Sequence, residues 1–230
     1  MKYYIHFSTI QPRFSKLKKI IDQLLIQSTP IEKIIISTSL ADRRFKSIED
    51  LNAYKTDKVI IQPLEKDYGA SNKILGALKF YHSLENKDDV FIIICDDDNL
   101  LHVDTIKSYD EMLQNNKECI YTHYNTNKRI RNINHLQGAD TYILNNNFLN
   151  KTTVNDYENY LEKIFSECPE AKFQDDYVIS YYIHEISKID IKKVDRVHWY
   201  NMYIYDDQMH KSCDVYYREK KTIEYFNNLP

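Results

Sequence analysis

Glycine is almost missing from this chain: its 230 residues hold three, Gly69, Gly76 and Gly138. A phosphate loop of the GxxxxGK[ST] kind is therefore excluded, as is a Gly-rich turn after the first strand-like run. Each glycine that remains gains weight, because few positions here can need one. Long apolar runs are also lacking. The longest, residues 34–36 and 90–95, are strand-sized, whereas a spanning helix needs about 20 apolar residues, so no membrane span is expected. The four cysteines, Cys95, Cys119, Cys168 and Cys213, are far apart with no CxxC pair. Free thiols are expected rather than a disulfide framework or a zinc site. Neither sign of charge dominates: the formal net charge is −3, which gives no basic field for nucleic acid. No repeat and no Pro/Gly/Ser linker divides the chain, and one domain over residues 1–230 is expected. Residues 1–6 lack the apolar core of a signal peptide, so a cytoplasmic location is expected, the host cytoplasm if the chain is viral.

What is present is an ordinary globular balance, 43% hydrophobic and 28% charged, enough for a proper core. The first half alternates strand and helix patterns. Residues 3–9 are β-rich, and 14–26 carry Leu17, Ile20, Ile21, Leu24 and Leu25 at helical spacing, with Pro12 and Ser15 where a helix starts. Strands are expected at 33–37 and at 58–62, the latter stopped by Pro63, and a helix over 70–84. Residues 90–95 form a continuous apolar run bounded by acids, as in a central strand buried on both faces. Further on, the pattern predicts helices at 103–113, 156–165 and 176–186 and strands at 118–122 and 140–144. Beyond Arg196 it turns aromatic and irregular, and loops are expected there. Such alternation implies an α/β fold, a mainly parallel sheet flanked by helices, with ligands beyond the carboxyl ends of its strands.

Chemistry is concentrated in those loops. Asp96-Asp97-Asp98 follows the 90–95 strand, and three adjacent acids repel one another unless cations neutralise them. A hard divalent ion takes one or two such carboxylates together with substrate phosphates. In an extended segment Asp96 and Asp98 face one side and Asp97 the other. Asp67-Tyr68-Gly69-Ala70-Ser71-Asn72-Lys73 opens a helix, where free N–H groups and a lysine suit an anion. Arg13, in Thr9-Ile10-Gln11-Pro12-Arg13, is placed either to grip a diphosphate or as an ordinary charge in a helix's first turn. Gln174-Asp175-Asp176 opens a helix, as caps or with one carboxylate as a general base. Gly138, after Gln137, lets a ligand approach the backbone.

In this order the segments resemble the GT-A glycosyltransferases, above all the small inverting enzymes of the family 2-like group, including those of large DNA viruses. The resemblance covers residues 1–195. It implies a GT-A-like Rossmann-type sheet, with residues 1–100 as the nucleotide-binding half and 101–230 as the acceptor half and C-terminal lid. It assigns Thr9, Arg13, Asp67, Lys73, Asp96, Asp97, Gln137 and Gly138 to the donor, and Asp176 or Asp175 to the base. Asp98 and Asp96 would hold Mn²⁺ or Mg²⁺, with His198 or His210 as a further ligand. The implied partners are a nucleoside diphosphate sugar, UDP-linked by preference, and a glycan or other hydroxyl acceptor. Gln11 lengthens the family's Thr-Ile-Pro turn by one residue. Two other readings are a sugar nucleotidyltransferase and a non-catalytic carbohydrate-binding or scaffold domain. The missing glycines after the first strand count against the former.

Overall fold

A computed structural model describes residues 1–40, 49–123, 130–131, 133–194 and 214–229. Seven strands form one sheet: β1 (Lys2–Ser8), β2 (Lys33–Ser39), β3 (Val59–Leu64), β4 (Val90–Ile94), β5 (Ile120–Thr122), β6 (Tyr142–Leu144) and β7 (Ile191–Lys193). Their order is β3-β2-β1-β4-β6-β5-β7. Only β6 runs against the others: it is antiparallel to β4 and β5, while the remaining pairs are parallel. The mixed, mainly parallel sheet read from the sequence is thus what the chain forms.

Period-two alternation sends each strand's side chains to two cores. Tyr4, Ile35, Ile92, Ile94 and Tyr142 face one side, under α2 (Asn72–Ser83), α5 (Val154–Glu167) and α6 (Asp175–Tyr181). Ile5, Phe7, Ile34, Ile36, Phe91 and Ile93 face the other, under α1 (Leu17–Leu25) and α3 (Thr105–Asn115). All five residues of β4 are buried, as the unbroken apolar run predicts for a central strand. Each such fully buried Ile or Phe contributes about 1.5–3 kcal/mol.

Several expectations need correction. Pro63 does not stop β3: it pairs in register with Thr38, which is tolerated because β3 is an edge strand and the missing N–H faces no neighbour. The first helix is preceded by a 3₁₀ turn, Gln11–Lys16, with Pro12 in its first positions, and Leu25 lies off the buried face at 42% exposure. The helix at the acidic pair stops at Tyr181 and continues as a π turn, Tyr182–Ile186. Short α4 (Asn146–Lys151), capped by Asn145, and strand β7 carry no strong periodic signal. The loops expected beyond Arg196 fall largely on residues 195–213, outside the described residues, and after them α7 (Val215–Asn228) packs Phe226 against Tyr181, with ring centroids 4.8 Å apart. Among the described residues, Cys95, Cys119 and Cys168 are free and buried, and no helix is long and apolar enough to cross a membrane.

Candidate active site

Sheet order fixes where the loops meet. From β1 the chain moves outward through β2 and β3 and then returns to the other side of β1 as β4. The carboxyl ends of β1 and β4 therefore flank a topological switch point, where such sheets bind ligands. His6 pairs with Ile94, so Thr9 and Asp97 stand at equal distances past that pair. Arg13 accordingly forms an ion pair with Asp97 and approaches Asp98 Oδ2 at 3.6 Å. Because β6 is antiparallel and Tyr142 pairs with Ile94, the residues before Tyr142 lie beside those after Ile94. This brings the 3₁₀ turn Gly138–Asp140 to the acidic loop, where Asn99 Nδ2 donates to the Ala139 carbonyl at 3.2 Å.

Lys73, one residue into α2, joins the parts. Its ammonium lies 2.6 Å from Asp96 Oδ1 and 2.9 Å from Asp175 Oδ2. Burial alone would lower its pKa, but Asp175, Asp96 and Asp176 outweigh burial and hold it well above the ordinary lysine value. Space here is tight: a Cβ on Gly138 would sit 2.4 Å from both Asp96 Oδ1 and Lys73 Nζ. Any side chain at this position would displace one end of the ion pair. Gly138 N–H in turn donates to Asp176 Oδ1 at 3.0 Å.

The carboxylates have distinct surroundings. Asp97 is 4% exposed, and burial pushes its pKa up against the pull of Arg13 and the neighbouring Thr9 hydroxyl. Asp98 is raised to about 6 by burial and by Asp96 and Asp97. Asp176 is raised well above the ordinary range by burial and by Asp175, with Lys73 and the Gly138 N–H opposing. The chain turns at residues 97–98 rather than staying extended. Asp97 and Asp98 consequently share Arg13 while Asp96 turns to Lys73, which replaces the alternation expected of a strand.

Five carboxylates, at positions 96, 97, 98, 175 and 176, thus surround two cations, Arg13 and Lys73. That surplus of negative charge fits a hard divalent ion. Among the described residues no group of three or more His, Cys, Asp or Glu side chains is set to hold a metal. His198 and His210 lie outside the described residues.

Other sequence candidates are arranged differently from expectation. Asp67 Oδ1 accepts from Gly69 N at 2.8 Å and from Asn72 Nδ2 at 3.1 Å, which closes the turn before α2. Gly69 has φ +64°, which suits glycine in that turn. Gln137 is half-buried at the mouth of the Gly138 turn. Two residues escaped the sequence reading. Gly76 packs α2 so tightly on the sheet that a Cβ there would come within 2.4 Å of His6 Nε2, and its count among three glycines was the available signal. Thr141 has φ 65° and ψ 155°, a region that is essentially glycine's alone, costing about 1–3 kcal/mol for other residues. Nothing in the sequence marks it.

No protein-family model and no curated protein matches the chain. Among solved structures, a mycobacterial protein superposes with a TM-score of 0.51, over 84% of this chain and 65% of its own, at 9% identity. Residues 1–349 of S. aureus TarS give 0.44 over 70% of this chain at 14% identity. The mannosyltransferase PcManGT from Pyrobaculum calidifontis, solved with GDP-Man and Mn²⁺, gives 0.45 over 63% of this chain and 44% of its own at 14% identity. The chain spans 55% of the TarS 1–349 length. The likeness to the mycobacterial protein is one of fold.

Proposed function

We propose that this chain is a metal-dependent, inverting glycosyltransferase that moves a sugar from a nucleoside diphosphate sugar, UDP-linked by preference, to a hydroxyl acceptor. One observation carries the reading: Lys73 ties the acidic loop after β4 to Asp175, beside Asp176, which supports a charge-rich donor site next to a carboxylate base. The GT-A resemblance of the ordered motifs supports the same assignment, with 1–100 as the nucleotide half and 101–230 as the acceptor half.

Asp98 and Asp96 would hold Mn²⁺ or Mg²⁺ together with diphosphate oxygens. When bound, the ion supplies positive charge to a diphosphate that gains negative charge as it leaves. Asp176 is the better base of the pair. Gly138 N–H orients it, whereas the Asp175 carboxylate is engaged by Lys73. Asp175, 8% exposed and paired with Lys73, acts as that lysine's counter-ion. In the transfer, Asp176 takes the proton of the acceptor hydroxyl as its oxygen bonds to the anomeric carbon. The bond from that carbon to the diphosphate oxygen breaks on the opposite face, and the nucleoside diphosphate departs. Lys73 and Arg13 fix the acidic loop so that Asp96 and Asp98 keep their positions through this exchange. Thr9, Gln137 and Gly138 line the donor side.

Incubation with UDP- and GDP-sugars and Mn²⁺, with and without simple sugar acceptors, tests the reading. Release of nucleoside diphosphate that needs the metal and is lost in Asp98→Ala is the expected result. No release and no transfer across the panel would sink the proposal.

A further inference from the structure

We infer that Thr141 is a positioning residue, whose strained backbone presses the Gly138 turn onto Asp96 and Lys73 and so fixes the N–H that holds the Asp176 carboxylate. The inference rests on Asp176 being the base of the proposed transfer.

Strain persists only where surroundings over-determine it, and Thr141 is held from every side. Its N–H donates to the Gly138 carbonyl at 3.1 Å, closing the turn on itself. Its hydroxyl is hydrogen-bonded to Tyr109 OH on α3 at 2.7 Å, and both residues are fully buried. Its carbonyl accepts from Thr122 Oγ1 on β5 at 3.1 Å and from His123 N at 3.4 Å. A β-branched residue is the poorest choice for such a φ. Glycine would remove the strain but forfeit the Tyr109 bond. The clamp therefore acts on the hydroxyl, through α3, to keep the backbone where it is.

The turn that Thr141 holds reaches each working part of the site. Ala139 receives Asn99 from the acidic loop, Gly138 abuts Asp96 and Lys73 without room for a methyl group, and Gly138 N–H meets Asp176. Relaxing residue 141 swings the peptide planes before it, and the Gly138 N–H is the group that loses its aim. Displacements of this size at a reacting group are costly to turnover even where binding survives. The other groups that bear on the Asp176 charge are Asp175, Lys73, Asp96 and the Tyr142 hydroxyl.

Glycine scarcity supplies the experiment. ¹⁵N-glycine labelling gives three amide signals, and ¹³C-carbonyl glutamine picks out Gly138, the one glycine that follows a glutamine. In the wild-type protein the Gly138 amide shift should follow the titration of Asp176 and be abolished as a reporter in Asp176→Asn. In Thr141→Gly the pH-dependent movement should fall to about half or less and the amide exchange about tenfold faster. Thr141→Ser, which keeps the hydroxyl, should restore both, and Lys188→Gly, which relaxes a positive φ remote from the site, should change neither. Tyr109→Phe, which removes the hydroxyl that meets Thr141 and the His123 backbone, should give the same loss in smaller measure and serves if Thr141→Gly does not fold. With a donor identified, kcat should fall about tenfold in Thr141→Gly with donor KM within about twofold. A full, wild-type Gly138 titration in both Thr141→Gly and Tyr109→Phe would overturn the inference. The spectra decide it without turnover, so inactivity of the wild-type protein on every donor would count against the transferase reading alone.

Discussion

Lys73 Nζ lies 2.6 Å from Asp96 Oδ1, with 5% of the lysine side chain exposed. So enclosed, the lysine serves as counter-charge to Asp96 and Asp175. Its second partner, Asp175, makes it a direct ion-pair link between the acidic loop after β4 and α6.

Removal of that charge should therefore cost more than a surface ion pair. Lys73→Met leaves Asp96 and Asp175 without their cation, and a loss of about 3–5 kcal/mol is expected, as for a broken buried pair. Urea unfolding of the two proteins measures it. A difference below about 1 kcal/mol, typical of exposed pairs, would contradict the burial argument.

Gly138→Ala tests the packing of the same nest. The added methyl would sit 2.4 Å from Asp96 Oδ1 and Lys73 Nζ, so one of them must move. A destabilisation of about 1–3 kcal/mol is expected, together with loss of transfer. Thermal unfolding and a donor assay read the two effects separately.

The raised Asp98 pKa sets a stability trend with pH. The folded protein binds this proton more tightly than the unfolded chain, with a pKa of about 6 against 3.8. Its contribution to stability is thus present at low pH and declines as pH rises from about 4 to about 6. At pH 7.5 Asp98→Asn should stabilise the protein by on the order of 1–2 kcal/mol while removing metal-dependent activity. Guanidinium titrations at pH 5 and pH 7.5 check the sign: the gain should shrink at the lower pH.

Asp176→Asn keeps the shape of the base and removes its basicity. Transfer should fall by about 10²–10⁴-fold with donor binding retained. Kinetics with a matched donor titration measures both. Equal loss in Asp175→Asn without a change in stability would shift the base assignment to Asp175.

How far the sequence foretold these features follows from the range of the forces involved. β4 and the acids after it were legible because an unbroken apolar run flanked by carboxylates has one reading in an α/β chain. Helix α1 was legible from the spacing of Leu17, Ile20, Ile21 and Leu24. Helix α7 was not, because among its described side chains only Thr222 and Phe226 are fully buried and its tyrosines read as irregular. Nor could spacing reveal that Lys73 turns inward, since its partners lie 23 and 102 residues away and meet it only through the sheet order. Asp67 closes the turn before α2, a role its place two residues before a glycine allows alongside a donor contact. The backbone of Thr141 is set wholly by Tyr109, Thr122 and Gly138, contacts that only the folded chain assembles.

The central claim, that residues 96–98 form a metal-assisted diphosphate site, is tested most directly by calorimetric titration of UDP with and without Mn²⁺. The account predicts UDP binding that strengthens by at least about tenfold with Mn²⁺ in the wild-type protein, and loss of that gain in Asp98→Ala. Little Mn²⁺ binding is expected without nucleotide, because among the described residues no group of three or more His, Cys, Asp or Glu side chains is set to hold a metal. UDP binding that ignores both the metal and the Asp98→Ala substitution would contradict it.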